Sequence, residues 1–324
     1  MILLIRIAII TSTISAVILW SGSAFFANCG GALSEGRNQV HDTPPVLANP
    51  VANGAAPIVS PDNKYISFVS SRNGNDDVYV ISSNGSAETQ LTETNTDEIL
   101  LGFEPGGARV VYSREDKDKS TIYSITLEGK EERKIGEIPG HALTISPDGK
   151  ALMSRNGSKL AASALDGSNL HEINGGGPTV TWNPRWSYDS KYIAFSSRTA
   201  PKALLGVYVM KGDGSEPRLV SQIAPEESGA RGGAQCPSWS YDGARLAFQV
   251  NNLDSSISHV WIVNLATGKA DKLGAHTRAY VDELPSWFPD GKRIAFQSDR
   301  TGRMEIWLSN ADGSDQKQLT GLKR

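Results

Sequence analysis

The chain has 324 residues, of which 39% are hydrophobic and 21% charged, with 32 glycines and 16 prolines. This composition describes a turn-rich globular chain, long enough for one large domain or two small ones. A formal net charge of −3, with no run of basic residues to track phosphates, excludes the electrostatic footprint of a nucleic-acid binder.

The first element is a leader. Residues 1–28 are almost wholly apolar: Arg6 supplies a positive n-region, Ile7 to Trp20 an apolar h-region, and "SGSAFFANCGG" a small-residue stretch where cleavage would fall. The segment resembles a bacterial lipoprotein signal, which implies lipidation of Cys29. Cleavage near Ala24 and an uncleaved membrane anchor are the alternatives, since Ile7 to Ala27 is about long enough to span a bilayer. All three place the remainder outside the cytoplasm, in the periplasm or at the cell surface. Residues 29–43 are polar and without period, and read as a flexible tether. Cys236, the other cysteine, has no partner if Cys29 carries lipid, and then reads as a small buried hydrophobe.

From residue 44 to 324 the chain repeats itself. "SPDNKYISFVSSRNGNDDVYVISSNGSAETQLT" (60–92) aligns without a gap on "FPDGKRIAFQSDRTGRMEIWLSNADGSDQKQLT" (288–320). The Pro-Asp-Gly turn signal recurs at Ser60, Glu104, Ser146, Ser187, Ser240 and Phe288, at intervals of about 46 residues, within the range of propeller blades.

Each unit predicts four strands in fixed order. A short apolar strand such as "CPSW" or "LPSW" precedes the Pro-Asp-Gly turn, and an alternating strand such as "KYISF" or "ARLAF" follows it. A variable loop then leads to a third strand ("DVYVI", "HVWIV"). A tight turn at Asn84-Gly85 or its counterparts Glu128-Gly129, Asp166-Gly167, Asp213-Gly214, Thr267-Gly268 and Asp312-Gly313 leads to a fourth. The fold class is therefore all-β: a six-bladed β-propeller of four-stranded antiparallel blades. Apolar residues on both faces of each strand, as with Tyr65 and Val69 against Ile66 and Phe68, require cover on both sides of every blade, which a closed ring provides. Trp186, Trp239, Trp287, Phe68, Phe195, Phe248 and Phe296 read as inter-blade core, and the turn aspartates as turn-formers. Pro44 to Ala48 resembles an outermost strand without a blade of its own, expected along the outer edge of blade six.

The repeat "SPDGK-x-IAF-x-S-x-R-x-G…IY-V-x-N-x-DGS…LT" resembles the TolB-type propeller repeat over most of the chain. That resemblance implies an extracytoplasmic docking platform whose channel mouth receives a protein partner. The α/β domain that precedes the propeller in TolB is not expected here. Other relatives cleave acidic polysaccharides, so a polysaccharide-binding or lyase-type propeller is the alternative function. The five histidines (His41, His141, His171, His259, His276) show no metal-ligand spacing, and no Gly-x-Ser-x-Gly occurs. The expectation is a monomeric, non-enzymatic scaffold with no cofactor, no metal and no nucleic-acid partner, which binds an envelope protein or peptide and meets the membrane through its N-terminus.

The least repetitive segments are the connections from each fourth strand to the next first strand, and these mark the binding mouth. Its candidate residues are Asp97, Glu98, His141, Trp182, Arg231, Gln235, Arg278, Tyr280, Asp282 and Glu283, a set that includes the aromatic and arginine side chains favoured at interfaces. The arginines that end the second strands (Arg72, Arg114, Arg198, Arg300) are expected to pair with acidic loop residues such as Asp77 or Glu305 and so to lock blades together.

Overall fold

The computed structural model describes residues 54–156, 159–173, 182–199, 203–223, 233–251, 257–274 and 280–321. The leader, the tether, Cys29 and the proposed edge strand at residues 44–48 lie outside the described residues. Among those described, no helix is long and apolar enough to cross a membrane.

Among the described residues twenty-four strands form six sheets, each made of four consecutive strands. Blade one comprises β1 (Ala55–Val59), β2 (Tyr65–Ser70), β3 (Asp77–Ser82) and β4 (Glu88–Gln90). Blade two follows with β5 (Glu98–Phe103), β6 (Arg109–Asp116), β7 (Lys119–Thr126) and β8 (Glu132–Pro139). Blade three holds β9 (His141–Ile145), β10 (Leu152–Asn156), β11 (Lys159–Ser163) and β12 (His171–Glu172). Blade four holds β13 (Trp182–Trp186), β14 (Tyr192–Ser197), β15 (Gly206–Lys211) and β16 (Arg218–Ser221). Blade five has β17 (Gly233–Trp239), β18 (Arg245–Asn251), β19 (Ser258–Asn264) and β20 (Ala270–Lys272). Blade six ends the ring with β21 (Asp282–Trp287), β22 (Arg293–Ser298), β23 (Glu305–Asn310) and β24 (Lys317–Gln318). Within each blade every strand pairing is antiparallel, as the sequence predicts, and the inner strands β1, β5, β9, β13, β17 and β21 pack side by side around one axis until β21 meets β1.

The turn chemistry explains the repeat. After each of four inner strands a serine hydroxyl donates to the turn aspartate: Ser60 to Asp62, Ser146 to Asp148, Ser187 to Asp189 and Ser240 to Asp242, at 2.6–2.7 Å. The same aspartates accept a backbone N–H two residues on, and their carboxyls sit below the ordinary range because these bonds favour the charged form. At the outer hairpins the glycine has positive φ while the residue before it does not, at 70–88° for Gly85, Gly129, Gly167, Gly214, Gly268 and Gly313, and Asn169, Glu216 and Asp315 follow with positive φ in three of the loops. These are type I-like turns followed by a left-handed glycine rather than two-residue hairpins, with the preceding Asn84, Asp166, Asp213 or Asp312 accepting the N–H two residues on.

Those glycines also join blades. A Cβ on Gly85 would meet Leu319, one on Gly129 Leu91, one on Gly167 Glu137 and one on Gly313 Gly274. These four hairpin tips therefore rest on the end of the preceding blade's fourth strand, and the Gly85–Leu319 contact does so across the seam between blades one and six.

The inter-blade core is apolar. Phe68, Phe195, Phe248, Phe296 and Trp287 are at most 1% exposed and fall in the clusters between sheets, so their predicted packing role holds. Burying each such ring stabilises the fold by roughly 1.5–3 kcal/mol.

Two expectations are corrected. Arg72 reaches over the Tyr79 ring to Glu88 on β4 at 2.6 Å, Arg114 binds Glu98 and Glu132, and Arg300 binds Asp282. All these acids belong to the arginine's own blade, so the pairs tie inner to outer strands within a sheet instead of locking neighbouring blades. Each guanidinium lies over an aromatic ring of its own sheet's third strand, Tyr79 for Arg72, Tyr123 for Arg114 and Trp307 for Arg300, which directs it to acids of that sheet. Cys236 is buried but disulfide-bonded to a partner outside the described residues, and so is not an isolated hydrophobe.

Candidate functional site

Two ends of the ring differ in chemistry. At the first, where the inner strands begin, the candidate residues fall into four groups. Glu98 is fully buried and takes Thr94 Oγ1 at 2.7 Å, Thr92 Oγ1 at 2.9 Å and Arg114 Nε at 2.9 Å. Beside it Asp97 Oδ1 accepts the N–H of Asp76 at 2.9 Å, tying the connection into blade two to the β2–β3 loop of blade one. Asp76 is pushed up to about 6 by burial and by the charges of Asp97, Asp77 and Glu98.

His141 opens β9 with its side chain half exposed and its Nδ1 2.8 Å from Glu115. Gln235 on β17 is buried and bonded to Asn251 at 2.6 Å. In blade six the Arg300 guanidinium grips both oxygens of Asp282 at 2.7 and 2.8 Å and lies 4.7 Å from the Tyr280 ring centroid. Glu283 accepts Gln297 Nε2 at 3.3 Å, and burial, with Asp299 and Asp282 adding to it, pushes its carboxyl up to about 7. Trp182 begins β13 opposite Ser196, its side chain outside the description, and Arg231 and Arg278 lie outside the described residues.

The structure thus brings Asp97 with Glu98 and Tyr280 with Asp282 and Glu283. Glu98 and Asp282 spend their oxygens on internal partners, whereas Glu283 and Asp76 sit among like charges. Among the described residues no group of three or more His, Cys, Asp and Glu is placed to hold a metal ion.

At the second end the channel contains a cavity of about 130 Å³, and none of the mouth residues whose side chains are described lines it. Its wall is made by a bulge in the inner strands. Ala56, Asn183, Cys236 and Leu284 have φ of 51°, 43°, 52° and 51°, each just before a proline and each at a shift of register against its second strand. Non-glycine residues in this region cost about 1–3 kcal/mol and persist only where the surroundings enforce them. Here the neighbouring blade enforces them: Ala56 N donates to Gln297 Oε1 at 2.9 Å, Cys236 N to Ser196 Oγ at 3.1 Å and Leu284 N to Gln249 Oε1 at 3.0 Å.

Past the bulge, Ile58, Gly102, Thr144, Arg185, Ser238 and Ser286 hold equivalent places two residues before the turn and face the channel. Arg185 is the single charged residue among the described residues lining the cavity. Its Nη1 makes one long bond, 3.4 Å, to the carbonyl of Pro184, and desolvation alone pushes it down to about 10. Mouth loops drew the sequence reasoning away from it. The signal was present: aligning the six inner strands on their turns leaves one arginine in a column of Ile, Gly, Thr, Ser and Ser.

A closed ring of four-stranded blades with a narrow lined channel defines a six-bladed β-propeller. The chain belongs to the TolB β-propeller domain family, whose description matches residues 153–323. No curated protein matches the chain in sequence.

Among solved structures it is similar to TolB from Acinetobacter baumannii (15% identity, TM-score 0.60, covering 83% of this chain and 64% of that one). It is also similar to a chain provisionally assigned as TolB from Agrobacterium tumefaciens (23% identity, TM-score 0.49, 59% and 66% covered). A puromycin-hydrolyzing peptidase from Mycobacterium tuberculosis shares the propeller at 12% identity, with a TM-score of 0.52 and 83% and 53% covered. The chain spans about two thirds of the TolB structures it matches, and likeness at this identity concerns the fold.

Proposed function

We propose that the chain is an exported, non-enzymatic propeller that binds a segment of an envelope protein at the mouth where its inner strands begin. The supporting observation is the surplus of buried or half-buried carboxylates there. Burial raises the carboxyls of both Asp76 and Glu283, and two groups of acids add to it: Asp97, Asp77 and Glu98 beside Asp76, and Asp299 and Asp282 beside Glu283. A basic segment would relieve that repulsion on arrival, which makes lysine- or arginine-bearing peptides the fitting occupants. His141 and Tyr280 offer half-buried contact area beside these acids.

Export rests on the leader-like residues 1–28. A lipid at Cys29 and a disulfide at Cys236 are alternative uses of the chain's two cysteines, since a thioether-linked sulfur cannot also pair.

Capture from envelope fractions tests the reading. Glu283→Gln, His141→Ala and Arg231→Ala should each reduce recovery of a partner, while Arg218→Ala and Lys317→Ala on the outer strands should not. Loss of capture only on changing the outer strands would move the site to the rim and refute it.

A further inference from the structure

The channel beyond the bulge holds an arginine that the fold itself does not use. Arg185 has no carboxylate of the described residues within ion-pair distance, and its one bond, to Pro184, is long and to its own chain neighbour. An arginine kept unpaired in such a place costs stability, because a charge taken out of water needs a compensating partner. By contrast Arg72, Arg114 and Arg300, at the ends of second strands, each have an acidic partner.

The surroundings are suited to an anion. Ser238 Oγ and Ser286 Oγ accept backbone N–H groups of the next blade, from Trp287 at 3.2 Å and Val59 at 3.1 Å, which leaves each hydroxyl hydrogen to donate. With Arg185 they put three donor groups on one layer of the channel. Around them the wall is apolar, formed by Pro57, Leu101, Pro237, Trp239, Leu284 and Pro285. The whole chain is acidic, with a net charge of −3, so general attraction does not bring anions here. The single guanidinium is a local focus within low-dielectric walls.

We propose that this channel layer is a binding site for a monocarboxylate with an apolar body, its carboxylate held by the Arg185 fork and the Ser238 and Ser286 hydroxyls. One guanidinium neutralises one negative charge. A phosphate dianion would leave a surplus charge against proline and leucine, whereas a carboxylate matches the planar fork and lets its apolar body lie on the wall. The site is independent of the acidic mouth, which lies at the other end of the inner strands, so failure of either reading leaves the other standing.

Calorimetric titration of the full chain tests it with four probes: hexanoate, N-acetyl-leucine, hexanamide and inorganic phosphate. Both carboxylates should bind and hexanamide should not. Tighter hexanoate points to a free small acid as the source of the carboxylate, and tighter N-acetyl-leucine to the end of a polypeptide. Arg185→Gln should weaken carboxylate binding by roughly 10- to 100-fold, the scale of charged hydrogen bonds. The same variant should melt no lower than the parent, because it removes an uncompensated charge. Ser238→Ala should give a smaller loss. Carboxylates that fail to bind, or that bind Arg185→Gln as tightly as the parent, would overturn the site, and phosphate binding more tightly than both carboxylates would overturn the ligand class.

Discussion

Gln297 of blade six and Ala56 of blade one are joined across the closing seam of the ring by a 2.9 Å hydrogen bond from the Ala56 N–H to the Gln297 side-chain oxygen. The other end of the same amide donates to Glu283 at 3.3 Å. Gln249 does the equivalent service one blade earlier, accepting Leu284 N at 3.0 Å, but its Nε2 is buried with no partner. Replacement of Gln297 by Met removes two bonds and strands two buried groups, while Gln249→Met removes one bond and relieves an unsatisfied donor. The expected losses in urea denaturation are about 2–4 kcal/mol for Gln297→Met and about 1 kcal/mol or less for Gln249→Met. Equal losses would show that the seam does not depend on this amide.

Glu283 makes stability depend on pH in the direction opposite to a salt-bridged acid. Burial, with Asp299 and Asp282 adding to it, raises its carboxyl from 4.5 to about 7, so the folded state holds more protons than the unfolded state between those values. Stability is then fully present below about pH 4.5 and is lost as pH rises to about 7, by up to roughly 3 kcal/mol. Asp76, raised from 3.8 to about 6, adds a loss of the same sign over a lower window. Melting curves at pH 5 and pH 8 should show Glu283→Gln losing less stability than the parent between the two. A parent and variant with the same difference would count against a raised Glu283.

Two glycine-to-alanine pairs separate backbone conformation from inter-blade contact. Gly243 and Gly268 have positive φ with nothing within 4 Å of an added Cβ, whereas at Gly167 and Gly313 that Cβ would lie 2.3 Å from Glu137 O and 2.2 Å from Gly274 N. Alanine at the first pair should cost about 1–2 kcal/mol for the left-handed conformation alone. At the second pair it must also push a hairpin tip off the neighbouring blade, and at least about 3 kcal/mol is expected. Thermal denaturation of the four variants reads the difference directly.

Arg300 binds both oxygens of Asp282 while stacking within 4.7 Å of Tyr280 and 4.5 Å of Trp307. With Asp282 3% exposed, Arg300→Ala strands a buried carboxylate and should cost about 3–5 kcal/mol. Asp282→Asn in the same background should recover part of that loss. A double-mutant cycle with no coupling would reduce the pair to packing.

The repeat, the number of blades, the turn positions and the aromatic core were legible in the chain because they are local or periodic. Asp62, Asp148, Asp189 and Asp242 each bond within a few residues, and Phe68, Phe195, Phe248 and Phe296 hold one place in the pattern. Which side chains face the channel was not legible. Alternation along a strand assigns faces only while the register is unbroken, and the bulges at Ala56, Asn183, Cys236 and Leu284 shift it midway along the inner strands.

The partners of charged groups were equally a tertiary matter. Arg72, Arg114 and Arg300 find acids in their own sheets, and Arg185, on an inner strand, finds none among the described residues. The sequence alone determined a ring of six like blades, since a repeat of four strands with two apolar faces has to bury both. Only closure of that ring decided that one guanidinium would stand in the channel and two carboxyls, Asp76 and Glu283, would be crowded at the opposite mouth. Six chain segments far apart in sequence set the desolvation and the neighbouring charges at those points, and no local pattern encodes their sum.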